Sequence, residues 1–193
     1  MRTVIDATLV IWLVLEIGLL IRDRRRGMGD PGRDRGTRTL FHVMAVGAMS
    51  IGYAVASTLP HDSTAYLPGA GVSKWHVYGG VGLMWIGLVL RSWAVAVLGP
   101  AFRTTVEIEA GQVVVDRGPY RWVRHPSYTG ALLTVAGYGI VLNNWISLAV
   151  TIVLPLIAVL RRISVEEDAL VEILGTPYRA YQARSKRLVP GVW

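Results

Sequence analysis

Long apolar runs separated by short charged segments dominate the hydrophobic pattern of this 193-residue chain. A helix that crosses a bilayer needs about 20 mostly apolar residues. Three runs come close to that length, at residues 4–21, 40–59 and 75–98, and each ends at charged or helix-stopping residues. Each run is therefore predicted to form a transmembrane helix.

A fourth apolar region, residues 128–160, is too long for one ordinary span. Asn143 and Asn144 lie near its middle and have the side-chain chemistry of a turn. We therefore predict a tight helical hairpin, which brings the total to five transmembrane helices. The expected fold class is an all-α, polytopic membrane protein.

The pattern changes after the hairpin from uniformly apolar to amphipathic. One helical face is shared by Ala169, Leu170, Ile173 and Leu174. Gly175 and Pro177 end that helix. Tyr178 and Tyr181 are spaced as on a further short helix. The sequence thus predicts two helices at the C-terminal end of the chain, outside the membrane.

Arginine and lysine are concentrated in alternate loops. Seven arginines fall in residues 22–38, four in 103–124, and six Lys or Arg in 161–187, whereas the 60–74 loop has only Lys74. Cytoplasmic loops carry such an excess of positive charge. We therefore expect the N-terminus outside, and the arginine-rich loops and the C-terminus in the cytoplasm. The chain is interpreted as one membrane domain, with a two-helix part (1–74) and a second part (75–193) that carries the candidate chemistry.

Composition agrees with a membrane protein and excludes several other classes. Hydrophobic residues make up 52% of the chain and charged residues 17%. The net charge of +7 comes mainly from arginines that flank apolar runs, which indicates membrane topology and anionic lipid, with no nucleic-acid partner expected. The absence of cysteine excludes disulfides and cysteine nucleophiles, and no metal site is predicted. Asp6 and Glu16 interrupt the first run, so we interpret it as a retained helix rather than a signal peptide.

The densest polar cluster is Gly-Pro-Tyr-Arg-Trp-Val-Arg-His-Pro-Ser-Tyr at residues 118–128. Pro126 disfavours helix at His125, so the histidine ring is expected on a turning or extended backbone at the membrane surface. One interpretation is that the arginines are membrane anchors and the aromatic residues form an interfacial belt. That interpretation leaves the ordered set of two prolines, a histidine and two tyrosines unexplained.

A second polar cluster, residues 161–168, follows the last apolar run. Arg162 and Glu166 are four residues apart and can meet on one helix face. They form either an ordinary surface ion pair worth about 0.3–0.5 kcal/mol, or a carboxylate for a cationic ligand beside an arginine for an anionic one. Arg91, inside the third run, either extends to the membrane surface or faces the bundle and marks a pocket floor.

Together these clusters resemble the isoprenylcysteine carboxyl methyltransferase family. The resemblance rests on Gly-Pro-Tyr-x-x-Val-Arg-His-Pro-Ser-Tyr-x-Gly at 118–130, the apolar hairpin, Arg162, the Glu166-Glu167 pair, and Gly-x-x-Tyr-x-x-Tyr at 175–181. The segment Asp-Arg-Gly-Thr at 34–37 also resembles an element of some members. The resemblance implies an all-helical membrane enzyme that transfers a methyl group from S-adenosylmethionine to the carboxylate of a prenylated cysteine, with the lipid-like acceptor entering from the membrane.

The resemblance also implies roles for individual residues. Arg162 is the expected catalytic residue and binds the acceptor carboxylate, with Glu167 also on the substrate side, while Glu166 contacts the cofactor. The other residues that match cofactor-pocket positions are Gln112, Val114, Val115, Tyr120, Arg124, His125, Pro126 and Tyr128. Gln112 stands where many members have histidine, although an amide still donates and accepts hydrogen bonds.

Three other functions remain open from the sequence. Phospholipid N-methyltransferases share the Arg-His-Pro-x-Tyr core and methylate an amine. NADPH-dependent sterol reductases share a similar C-terminal region but usually have asparagine where this chain has Ser127. A non-catalytic membrane scaffold would use the same aromatic residues and arginines only as anchors.

Overall fold

The structure is a computed structural model that describes residues 2–25, 34–59, 65–68, 74–104 and 113–191. Within those ranges the chain forms helices and no β-strand, with two isolated bridges. The α-helices, in chain order, are α1 (Arg2–Arg25), α2 (Thr37–Thr58), α3 (Trp75–Leu98), α4 (Pro126–Val141), α5 (Trp145–Leu174) and α6 (Thr176–Arg184). Short 3-10 turns occupy Gly99–Ala101 and Gly118–Arg121. The prediction of an all-helical fold is confirmed.

Four described helices are long and apolar enough to cross a membrane: α1, α2, α3 and α5. Helix α4 has 16 residues, so it is about 24 Å long at the usual rise per residue. This is shorter than the hydrocarbon thickness of about 30 Å. The fifth predicted span therefore exists as a helix, while its crossing of the membrane stays a prediction.

The predicted helical hairpin joins α4 to α5 at the two asparagines. Asn143 adopts φ 58°, a left-handed conformation that asparagine tolerates. The Asn144 side chain accepts hydrogen bonds from the backbone N–H groups of Ile146 (2.9 Å) and Ser147 (3.0 Å), and so caps α5. Helix α5 then runs for 30 residues without a break. The amphipathic segment that begins near residue 161 is thus the continuation of the membrane helix.

Helices α3 and α4 pack with their backbones almost in contact, because glycines face each other at two levels. A Cβ atom at Gly87 would lie 2.5 Å from the carbonyl oxygen of Gly130, and one at Gly137 would lie 2.5 Å from the carbonyl oxygen of Gly80. A Cβ at Gly130 would lie 2.7 Å from the backbone nitrogen of Arg91. This close crossing places Arg91 beside the first turn of α4.

The segment after α6 returns to the loop that precedes α4. The backbone N–H groups of Arg124 and His125 donate to the carbonyl oxygens of Lys186 (2.7 Å) and Arg187 (3.0 Å). Leu188 is buried in the core cluster with residues of α2, α4 and α5. We call residues 185–188 the C-terminal clamp, because they fix the polar loop against the helices.

Candidate functional site

The polar loop begins and ends at residues whose backbone the sequence dictates. Gly118 adopts φ 58°, which glycine allows without strain, and starts the 3-10 turn. Pro126 occupies the first turn of α4, and His125 before it has the non-helical backbone that a following proline favours. The His125 ring is buried rather than displayed at the surface, and it stacks on the Tyr128 ring with 5.7 Å between the centroids.

Glu167 is the acidic residue that holds this loop to α5. Its carboxylate lies 2.7 Å from Arg124 Nε, 3.2 Å from His125 Nε2 and 3.1 Å from Arg187 Nε. The glutamate side chain is only 5% exposed. One buried carboxylate therefore joins α5, the polar loop and the C-terminal clamp, and buried charges are tolerated when they are paired in this way.

Tyr128 joins the two polar clusters of the sequence through its hydroxyl group. The hydroxyl donates to Glu166 Oε2 at 2.7 Å and accepts from Arg162 Nε at 2.5 Å. Arg162, which is buried, and Glu166, which is half-buried, thus meet through the tyrosine and not as an exposed ion pair. We call Tyr128, Arg162 and Glu166 the Tyr128 junction.

A cavity of about 360 Å³ lies on the Glu166 side of the junction. Glu166 is the one acidic residue among the described residues that line this cavity, which we call the carboxylate cavity. Its lining includes Tyr120, Arg124, His125, Ser127, Tyr128 and Glu166.

A second cavity, of about 300 Å³, lies on the Arg162 side. Among the residues that the structure describes, basic side chains from α2, α3, α5 and the segment after α3 line it and no acidic side chain does, so we call it the arginine cavity. The basic residues are Arg38, His42, Arg91, Arg103 and Arg162. Phe102, Arg103 and Tyr128 line both cavities, which places the two cavities next to each other.

Arg91 faces the interior of the helix bundle, which is one of the two orientations predicted for it. Its Nε lies 2.7 Å from Glu16 Oε1, its Nη2 donates to Glu16 Oε2 at 2.8 Å, and its Nη1 donates to Ser127 Oγ at 2.8 Å. The Arg91 side chain also lines the arginine cavity. The sequence analysis did not predict Glu16 as the partner of Arg91. The signal that could have indicated this pair was an acidic residue inside an apolar run.

Asp34 is a second residue whose importance the sequence only hinted at. Its Oδ1 lies 3.0 Å from Arg162 Nη1, and Thr37 Oγ1 accepts from the same nitrogen at 3.1 Å. Arg35 and Gly36 between them adopt positive φ values of 49° and 70°, so the segment turns sharply before α2 begins. The Asp-Arg-Gly-Thr segment thereby brings a carboxylate from the N-terminal part of the chain to Arg162.

A tyrosine of α6 forms a hydrogen bond with the backbone of the polar loop. Tyr181 donates its hydroxyl hydrogen to the Tyr120 carbonyl oxygen at 2.5 Å. Burial raises the pKa of Tyr181 to about 12. Burial, with Glu166 nearby, also raises the pKa of Tyr120 well above its usual value. Both phenols are therefore neutral at physiological pH, and Tyr181 keeps the proton that it donates.

The remaining predicted site residues lie around this centre. Pro126 is buried at the start of α4. Val114 and Val115 are half-buried and do not line either cavity. Glu167 lines neither cavity. Gln112 lies outside the described residues.

Comparison with known proteins identifies the family. The sequence profile of the isoprenylcysteine carboxyl methyltransferase (ICMT) family matches residues 80–172. A probable protein-S-isoprenylcysteine O-methyltransferase of Oryza sativa subsp. japonica is 31% identical over 154 residues, which cover 78% of this chain and 78% of the relative. The chain belongs to the ICMT family. The predicted family is confirmed.

Other ICMT family members are longer than this chain. The protein-S-isoprenylcysteine O-methyltransferase of Tribolium castaneum is 30% identical over 129 residues, or 66% of this chain and 46% of the relative. A solved structure of a eukaryotic intramembrane Ras methyltransferase, ICMT, superposes with a TM-score of 0.64 and 25% identity, covering 78% of this chain and 52% of that one. The chain thus spans about half the length of these two relatives. Their similarity and the apolar helices make it an integral, multi-pass membrane protein, as predicted.

Proposed function

We propose that this chain is a membrane methyltransferase that transfers a methyl group from S-adenosylmethionine to the carboxylate of a prenylated cysteine or a similar lipophilic acceptor. The observation that supports this best is the Tyr128 junction. On one side of it the Glu166 carboxylate lines a cavity, together with Arg103 and Arg124, and on the other side the charged residues that line the described part of a second cavity are all basic. A cationic donor and an anionic acceptor match these two environments.

The carboxylate cavity has the chemistry expected of a site for S-adenosylmethionine. This cofactor has a positively charged sulfur and, when bound, would supply the methyl group. The Glu166 carboxylate attracts that charge, and the rings of Tyr120 and Tyr128 add cation–π attraction. We place the cofactor against these residues, with Arg124, His125 and Pro126 forming the loop that encloses it. Gln112, Val114 and Val115 are proposed as more distant contacts of the same pocket.

The arginine cavity is proposed to bind the acceptor. A carboxylate is ionised at neutral pH and is nucleophilic without a general base. Methyl transfer then requires mainly that the two reactants be held in line. We propose that Arg162 orients the acceptor carboxylate beside Tyr128. The Glu167 carboxylate contacts Arg124, His125 and Arg187. These contacts support a role for Glu167 in positioning the polar loop rather than in contacting the substrate.

We also propose the predicted membrane topology, in which α4 is a fifth, short span and the site faces the cytoplasm. The end of α1 supports this arrangement, because Arg22 Nη2 donates to the carbonyl oxygen of Phe102 at 2.9 Å. The end of α1 and the end of α3 therefore lie at the same end of the bundle, and Arg162, which bonds both Asp34 and Thr104, places the start of α2 there as well. The N-terminal part (1–74) contributes Asp34, Arg38, Phe41 and His42 to the site, and residues 75–193 contribute its other described residues.

Calorimetry in detergent with S-adenosylmethionine, S-adenosylhomocysteine and NADPH tests this function. We expect both sulfur compounds to bind and NADPH not to bind. NADPH binding would instead indicate a reductase, and binding of none of the three would indicate a non-catalytic scaffold.

The acceptor is then tested with S-adenosylmethionine that carries a radiolabelled methyl group, offered with N-acetyl-S-farnesylcysteine or with a phospholipid. Label that alkali releases is expected from the farnesylcysteine, because the product is an ester. Alkali-stable label on the phospholipid would contradict the proposal and indicate an N-methyltransferase.

A further inference from the structure

We propose that Arg38 is the residue that binds the charge of the acceptor carboxylate and makes the site prefer anionic over neutral acceptors. This inference rests on the proposed methyltransferase function and assigns a specificity-determining residue to its acceptor side. Arg38 lies in the first turn of α2, is half-buried, and lines the arginine cavity.

The first step is that Arg162 has little hydrogen-bonding capacity left for a ligand. Its Nε donates to Tyr128, and its Nη1 donates to Asp34 and Thr37. Its Nη2 donates to the carbonyl oxygen of Thr104. A guanidinium has five N–H groups, so these contacts leave one. Arg162 can therefore orient one carboxylate oxygen but cannot hold a carboxylate with both arms of its fork.

Arg91 is committed to protein partners in the same way. Its guanidinium spans both carboxylate oxygens of Glu16 and also donates to Ser127. The positive charges of Arg91 and Arg162 are thus offset by buried carboxylates, Glu16 and Asp34, that lie behind them. Neither arginine supplies a charge that an incoming anion would neutralise.

The Arg38 guanidinium has no hydrogen bond or ion pair with any of the residues that the structure describes. The contacts of Arg38 are made by its backbone, whose N–H donates to Asp34 Oδ2 at 3.1 Å and whose carbonyl oxygen lies 2.8 Å from His42 Nδ1. An ionised carboxylate that leaves water requires a partner of opposite charge, and a guanidinium with both arms available provides a bidentate one. Arg38 therefore has both the charge and the donors that the acceptor needs.

It follows that Arg38 and Arg162 have different roles in binding the acceptor. Arg38 supplies the charge that draws the carboxylate out of water, and Arg162 supplies the single directed hydrogen bond that aims it at Tyr128. Such a cavity favours a carboxylate acceptor and disfavours a lipid with a cationic amine head group, because like charges repel.

The test compares Arg38→Gln with Arg38→Lys and with a matched control, Arg161→Gln. Arg161 is exposed, adjoins Arg162, and lines neither cavity. Each protein is saturated with S-adenosylhomocysteine, and N-acetyl-S-farnesylcysteine and its C-terminal amide are titrated in by calorimetry. The ratio of the two dissociation constants measures how strongly the site recognises the charge of the carboxylate.

We expect the wild type and R161Q to bind the carboxylate about tenfold more tightly than the amide, as for one charge-assisted hydrogen-bonded contact. R38Q should lose this preference, R38K should keep part of it, and all variants should bind S-adenosylhomocysteine like the wild type.

If R38Q does not fold, Arg38→Met provides the same comparison. An undiminished preference in the folded variant would overturn the role of Arg38. Failure of the wild type to bind S-adenosylhomocysteine or either farnesyl compound would instead overturn the proposed function.

Discussion

The hydroxyl group of Tyr128 makes two hydrogen bonds with different consequences. As a donor to Glu166 it holds that carboxylate beside the carboxylate cavity, and as an acceptor from Arg162 it holds the guanidinium beside the arginine cavity. The two α5 residues are four positions apart, so one helical turn separates the groups proposed for the donor from those proposed for the acceptor. Substitutions at the two positions should therefore have separable effects.

Glu166→Gln should weaken binding of S-adenosylmethionine about tenfold, because an amide no longer attracts a positively charged sulfur. Arg162→Lys, which keeps the charge opposite Asp34 but loses the fork, should leave that affinity within about twofold and lower kcat by about tenfold. Calorimetry and initial rates measure the two effects. Glu172→Gln, an exposed acid on the same helix, is the matched control. An equal loss of cofactor affinity in both site variants would contradict the assigned roles.

At the scale of the helices, the α3–α4 crossing determines where the polar loop ends. Gly87 and Gly130 allow the two backbones to touch, and any side chain there would push α4 away from Arg91. Because α4 begins at Pro126, the position of the crossing also fixes His125 and Ser127 relative to the cavities.

Gly87→Ala should therefore destabilise the protein, since its Cβ would lie 2.5 Å from the Gly130 carbonyl oxygen. Overpacking of this kind typically costs about 1–3 kcal/mol, which corresponds to a fall in Tm of about 5 °C for a chain of this size. Gly82→Ala on the same helix is the control, because nothing lies within 4 Å of its Cβ position. Thermal unfolding in detergent measures both. Equal Tm values for the two variants would show that the crossing tolerates a side chain.

The sequence predicted the helices and the hairpin because the signals for them are local. The two asparagines that form the turn are adjacent in the chain, and Gly175 and Pro177 end α5 where the pattern indicates. The C-terminal clamp was not predicted, because it pairs the backbones of residues 124–125 and 186–187, whose side chains carry no signal of that pairing. The Glu16–Arg91 pair was missed for a related reason. The side-by-side placement of α1 and α3 depends on packing and not on the periodicity of either helix.

For the whole molecule, the part that matches the family profile does not contain the complete site. The profile covers residues 80–172, but Arg38, Asp34 and Glu16 come from helices and turns before it. The first two helices, with the turn before α2, thus supply charged residues around the arginine cavity. They include Arg38, to which we assign the preference for anionic acceptors.

The Glu16–Arg91 pair should hold α1 to this assembly. Glu16→Met alone leaves Arg91 buried without its carboxylate and should cost about 3–5 kcal/mol, whereas the double variant Glu16→Met with Arg91→Met should recover most of that loss. Thermal unfolding of both single variants and the double variant in detergent forms the double-mutant cycle. Additive losses in the double variant would show that the two side chains do not depend on each other.

The C-terminal clamp has a consequence for biosynthesis. Ribosomes add residues 185–188 after helices α1 to α6, so the membrane helices can insert and associate before the loop at residues 123–125 has its backbone partners. A product truncated before residue 185 would retain its hydrophobic spans and much of its charged lining, yet leave the Arg-His-Pro loop unsupported. The proposed activity therefore depends on residues 185–188, and chains truncated before them should be inert in the membrane.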